Sequence, residues 1–236
     1  MSYLRVADSF LVAEGKVRGL DLHRDRFTSS CTALGVSAGE FWDASVRQLP
    51  RTGRWFPRFE LGASGEPALL IRPAPPTGGG VRVSVHDGPD PRTAPRVKGP
   101  DLAALGELKA RAASAYGADE VLLTAPDGAV LEAAYSGVLW WEGEALCEPP
   151  GDRPILPSVT ARLVRRIAAE AGVEVVERAR TAAELADLEV WLVNALHGIR
   201  QVEAWQTAPP RAVDARRAGQ WQQALLDLAE PLPPVD

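Results

Sequence analysis

Proline and glycine interrupt this chain near its middle: Pro-Ala-Pro-Pro-Thr-Gly-Gly-Gly fills positions 73–80, and a second proline-rich stretch spans 87–95. Proline removes a backbone donor and fixes φ, while ordered glycine loses the most backbone entropy, so no long helix or strand is expected to cross either segment. Between them only Val81-Arg82-Val83-Ser84-Val85 alternates in the manner of a short strand. A chain broken this way folds as two units. We place a small α/β domain at 1–86, a connector at 87–97 and a larger α+β domain at 98–236.

The 236 residues are 46% apolar, enough for two buried cores. A net charge of −5 and scattered arginines leave no basic stripe, which argues against a nucleic-acid partner. Cys31 and Cys147 lie far apart without ligand spacing, so two packed thiols in a reducing compartment are expected, and no metal site. The first twenty residues carry Asp8 and Glu14 without an apolar run, and no stretch of 18 apolar residues occurs anywhere. The expectation is a cytoplasmic protein that uses no membrane.

Local patterns assign the elements. Strands at 4–12 and 16–20 form a hairpin around Glu14-Gly15, followed by a helix at 23–34 with Leu22, Phe27, Ser30 and Leu34 inward and a second helix at 37–49. Strands at 54–61 and 67–72 pair across Gly62-Ala63-Ser64-Gly65. In the second half a helix at 102–116 stops at Gly117, and strands at 121–124 and 129–132 flank Pro126-Asp127-Gly128. A strand at 137–141, a helix at 160–172, a strand at 173–178, a short helix at 181–185 with Glu184 as capping-box partner of Thr181, a strand at 189–194 and a helix at 220–228 complete it.

Only three lysines, Lys16, Lys98 and Lys109, stand among the 26 basic residues. Arginine serves wherever a solvated charge suffices. Lysine can lose its proton and attack a carbonyl, which arginine cannot do. A loop lysine is more often a solvated charge, so Lys98, just after the connector, requires supporting residues. Lys16 falls in a hairpin and Lys109 on an amphipathic helix.

Four stretches in order supply that support: V-K-G-P-D-L at 97–102, G-A-D-E-V-L-L-T-A-P-D-G-A-V-L-E at 117–132, L-P-S-V-T at 156–160 and V-N-A-L-H-G-I-R at 193–200. Over 23–205 the chain resembles the fold-type IV pyridoxal-phosphate enzymes, the class IV aminotransferases, and within them the aminodeoxychorismate lyase branch. The resemblance implies a two-domain α+β architecture like that of D-amino acid aminotransferase, with pyridoxal 5′-phosphate as cofactor. Lys98 matches the lysine that holds the cofactor as a Schiff base and moves the substrate proton. Glu132 matches the carboxylate that keeps the pyridine nitrogen protonated. Ser158, Val159 and Thr160 open a helix whose amides form an anion site for the phosphate, with Arg26 reaching it from the small domain and Asn194 and Ala195 beside it. Arg58, His197 and Arg200 match substrate-facing positions, the last two on a loop beside the cofactor.

The chain departs from the family pattern in places. Asp101-Leu102 stands where many relatives have Asn-Tyr, Ala195 replaces a Ser or Thr, Gly137 lies where Asn is usual, and Gln201 where proline is common. Asn194-Ala195-Leu196 follows the lyase branch. The implied reaction converts 4-amino-4-deoxychorismate to 4-aminobenzoate and pyruvate. The alternatives are a transaminase acting on a D- or branched-chain amino acid and a catalytically idle, ligand-binding homologue. The family also implies a homodimer, and Trp42 and Trp55 look like exposed aromatics of the small domain, with internal core residues, the more common fate of so large a side chain, as the alternative.

Overall fold

The computed structural model describes residues 4–206, 208–210 and 214–235. In chain order the first elements are β1 (Leu4–Ser9), β2 (Val12–Ala13), β3 (Lys16–Arg18), α1 (Leu20–Thr32), α2 (Gly39–Arg47), β4 (Arg54–Trp55), β5 (Arg58–Gly62) and β6 (Pro67–Leu70). Next come β7 (Val81–Val85), α3 (Leu102–Tyr116), β8 (Glu120–Thr124), β9 (Val130–Ala133), β10 (Gly137–Glu142) and β11 (Ala145–Glu148). The chain finishes with α4 (Val159–Glu170), β12 (Val175–Glu177), α5 (Ala182–Leu185), β13 (Glu189–Asn194), β14 (Gly198–Trp205), α6 (Arg216–Asp227) and β15 (Ala229–Pro231). It divides into one unit of residues 1–77, 97–100 and 226–236 and another of 78–96 and 101–225.

The first unit holds an antiparallel three-stranded sheet, β1-β5-β6, and a four-stranded one, β15-β3-β2-β4. The expected hairpin joins β2 to β3, with Glu14 at φ 49 and Gly15 at φ 69 in its turn. β1 does not belong to that hairpin but pairs with β5, Asp8 opposite Phe59. Helix α1 buries His23, Phe27 and Cys31, an i, i+4, i+8 stripe. The expected inward set therefore holds only at Phe27, and Leu34 lies beyond the helix, 41% exposed. Phe10, Phe27, Trp42 and Phe59 form the centre of the core, with the Trp42 and Phe59 rings 4.0 Å apart. Trp42 is thus a core residue, the second of its two readings; its size makes interior packing the larger gain.

The second unit is built on an eight-stranded sheet in the order β12-β11-β10-β13-β14-β7-β8-β9. The strand expected between the two proline-rich stretches, β7, runs parallel between β14 and β8, inside this sheet. The sequence-based border at residue 86 and the contact-based border at 77 therefore assign it to different units. β8 is buried on both faces: Val121 and Leu123 lie with Leu105, Leu108 and Ala112 of α3, and Leu122 packs with Val83, Val130 and Val202. Helix α3 ends as expected, with Gly117 at φ 62 closing its last carbonyls. The Thr181–Glu184 capping box is also present. Among the described residues no helix is long and apolar enough to cross a membrane.

Candidate active site

Three of the expected residues belong to the first unit. On α1, Arg26 follows His23 by one short turn, and both side chains converge on Asp8 of β1. The buried Asp8 carboxylate accepts from Arg26 Nε at 2.8 Å and Nη2 at 3.0 Å and lies 2.7 Å from His23 Nδ1. Burial alone would raise the Asp8 pKa, but Arg26 and His23 hold the carboxyl far below the ordinary range. Burial lowers His23 below its ordinary value against the pull of Asp8, and the charges of Arg26 and Lys98 add to the lowering. Lys98 and Arg26 are therefore electrostatic neighbours of the same histidine.

The Lys98 segment is anchored by backbone. The Ala7 amide donates to the Lys98 carbonyl at 2.6 Å. The next residue, Gly99, has φ +139, and a Cβ there would lie 2.9 Å from Val6 Cα and the Ala7 nitrogen. Only glycine lets β1 approach this closely. Arg58 on β5 pairs with Glu60, two residues along the same strand, at 2.7 Å from Oε2.

The second unit carries the remaining expected residues. Glu132 is buried on β9, where its Oε1 accepts the Leu156 amide at 3.0 Å and Nη1 of Arg92. Sequence reading passed over Arg92, because an arginine in a proline-rich stretch looks like any solvated charge. Ser158 is the N-cap of α4 and its Oγ accepts the Ala161 amide at 3.2 Å. The cap occupies the third amide of the first turn, and Val159 and Thr160 supply the two before it, which no carbonyl within the helix can reach.

Asn194 ends β13 beside Gly137 of β10, since Gly137 pairs with Val193. Its Nδ2 donates to Ser136 Oγ at 2.9 Å, and its Oδ1 accepts the amides of Leu196 at 3.1 Å and His197 at 2.8 Å. A Cβ on Gly137 would lie 3.5 Å from Ser158 Oγ. Ser136, Gly137, Asn194 and the start of α4 thus gather at one place, with Ala195 in the adjoining turn. Ser136 was not singled out from sequence; its pairing partner lies 58 residues away.

Arg200 lies on strand β14 and not on the loop expected, because residues 198–205 pair with β13 and β7. Its buried guanidinium sits 3.7 Å from Glu120, which also binds Lys109 Nζ at 2.7 Å. Burial lowers the Arg200 pKa, with Glu120 and Asp119 opposing. His197 is pushed down to about 4 by burial, reinforced by Arg200 and Lys109. It is neutral near pH 7.

The second-unit set suits an anionic aromatic cofactor: first-turn helix amides for a phosphate, a glycine beside the Ser158 cap, and a buried carboxylate for a ring nitrogen. A family model, amino-transferase class IV, matches residues 5–205. The chain belongs to the class IV aminotransferase family. It is accordingly a pyridoxal-phosphate-dependent enzyme, a lyase or an aminotransferase. No curated protein sequence matches it. A fold IV transaminase from Curtobacterium pusillum superposes with a TM-score of 0.79 at 24% identity, covering 94% of this chain and 83% of that one. A candidate 4-amino-4-deoxychorismate lyase from Legionella pneumophila gives 0.79 at 18%, covering 94% and 90%. A branched-chain aminotransferase from Thermoproteus uzoniensis gives 0.80 at 18%, covering 97% and 90%. At these identities the structures establish a common fold.

Proposed function

We propose that this class IV family member is a lyase that converts 4-amino-4-deoxychorismate to 4-aminobenzoate and pyruvate. The observation that carries this reading is the Asn194-Ala195-Leu196 turn, the lyase-branch sequence, whose asparagine side chain ties the turn to Ser136 beside the start of α4. Pyridoxal phosphate, when bound, supplies an electron sink for the substrate carbon next to its amine. In this reading the Val159 and Thr160 amides and Arg26 hold the phosphate, and Asp8 orients Arg26. Glu132 holds the proton on the ring nitrogen. Lys98 Nζ would hold the cofactor, and its free amine would take the substrate ring proton. Cleavage of the enolpyruvyl C–O bond then leaves an aromatic ring, and the enolpyruvate gains a proton to become pyruvate.

The substrate has two carboxylates, so guanidinium partners are chemically required. Of the two candidates, Arg58 is the more accessible, its side chain 28% exposed against 9% for Arg200. Neutral His197 would serve as a hydrogen-bonding neighbour rather than a charge. We assign a homodimer and a cytoplasmic location to the assembled enzyme on family grounds.

Supplied with aminodeoxychorismate and no keto acid, the enzyme is expected to release pyruvate and 4-aminobenzoate in equal amounts, and Lys98→Ala to abolish borohydride-trappable cofactor. Robust amino transfer from D-alanine or a branched-chain amino acid to a keto acid, without pyruvate release, overturns the lyase reading in favour of a transaminase. Absence of any bound cofactor leaves the idle homologue.

A further inference from the structure

The Arg92 side chain is only 3% exposed, although it lies in a proline-rich segment whose composition suggests a loop. Every arm of its guanidinium is engaged. Nε donates to Asp90 Oδ1 at 2.9 Å, Nη2 to Asp90 Oδ2 at 2.7 Å and to the Pro154 carbonyl at 2.8 Å, and Nη1 to Glu132 Oε1. The Arg92 backbone amide also donates to Asp90 Oδ1 at 3.0 Å, so the Asp90 carboxylate fixes both ends of the residue. On the far side, Glu132 Oε1 takes the Leu156 amide. Leu156 stands two residues before Ser158, the cap of α4.

We propose that Arg92 is a positioning residue for the cofactor, locking the Glu132 carboxylate in one orientation and tying it to the 154–158 segment that opens the phosphate-binding helix. The inference rests on the assignment of Glu132 as the ring-nitrogen partner. Its physical basis is the fork. A planar guanidinium can satisfy a carboxylate, a carbonyl and a second carboxylate at fixed angles, whereas a lysine ammonium offers a point charge on a flexible stem. A carboxylate enclosed in protein without a cation is costly, and a permanently charged, hydrogen-bonded neighbour offsets part of that cost.

The test compares wild type, Arg92→Gln, Glu132→Gln and the double variant, each reconstituted with pyridoxal phosphate. The readouts are the visible spectrum of the bound cofactor across pH and its affinity by fluorescence titration. Arg92→Gln is expected to reproduce the spectral change of Glu132→Gln and to weaken cofactor binding by roughly 10- to 100-fold, by analogy with the loss seen when groups that orient metal ligands are removed. The double variant is expected to show no spectral change beyond that of Glu132→Gln, because the two residues act as one unit. A folded Arg92→Gln protein with a wild-type spectrum, or additive changes in the double variant, overturns the proposal. A wild-type spectrum in Glu132→Gln defeats the underlying assignment instead, whatever Arg92 does. If Arg92→Gln does not fold, Arg92→Lys decides: a shift toward the Glu132→Gln spectrum supports the proposal and a wild-type spectrum overturns it.

Discussion

Burial of histidine shapes the acid stability of this protein, at His197 and in the same sense at His23. His197 titrates near 6.5 in the unfolded chain but only at about 4 when folded, because burial, Arg200 and Lys109 all oppose its protonated form. Between those values the unfolded chain binds a proton that the folded chain does not, so stability falls as pH drops from about 6.5 to about 4 and this contribution levels off below. His197→Gln is expected to flatten that dependence, and melting temperatures of both proteins measured across this window check it. Asp8 acts in the same direction, at lower pH. Its depressed carboxyl contributes stability that is fully present above the ordinary carboxylate range and is lost only in stronger acid. Lys98 and Glu132 could be proposed as site residues at this scale because residue type and neighbours in sequence mark them out. Asp8, Arg92 and Ser136 were not, since each gains its meaning from a partner at least 18 residues away, such as Arg26 for Asp8 and Glu132 for Arg92.

Among the elements, those with local signals came out close to expectation. Helix α3 and strand β13 occupy the expected residues, and the Gly117 stop and the Thr181 box are both present. The hydrophobic phase of α1 was misread because its inward stripe includes His23, a polar side chain that is buried only by virtue of Asp8. β14 was read as loop: Arg200, Gln201 and Glu203 break the apolar alternation, and the strand exists because β13 and β7 flank it. The segment after β7 that carries residues 97–100 makes a sharper case at Gly99. Gly99→Ala requires a left-handed φ in a residue with a side chain and places its Cβ against the β1 backbone at 2.9 Å. The expected outcome is a loss of about 1–3 kcal/mol in folding stability, together with reduced borohydride trapping of cofactor at Lys98. Denaturant unfolding and mass spectrometry of the reduced protein measure the two effects.

At the scale of the whole molecule, the chain order and the spatial order differ. β15, after the last helix, pairs with β3 rather than with the sheet of the second unit, and Leu232 is buried there with its amide bonded to the Gly15 carbonyl at 2.8 Å. Ending the chain after Asp227 is therefore expected to weaken the first unit, by about 1.5–3 kcal/mol for the leucine burial alone. Urea unfolding with proteolytic mapping would show cleavage within 1–77 before cleavage within 101–225; equal resistance to the intact protein would count against this role for the tail. Sequence by itself determined the alternation of strands and helices and the family, and it singled out Lys98 as the proposed cofactor lysine, because propensity, turn residues and linear motifs act over a few neighbouring positions. Only the tertiary structure decided that β7 lies inside the large sheet, that the C-terminal strand joins the first unit, and that Asp8 and Arg92 stand behind Arg26 and Glu132. Strand order and buried ion pairs are set by which distant segments close the core together, and that choice is made by the free energy of the assembled fold rather than by any local run of residues.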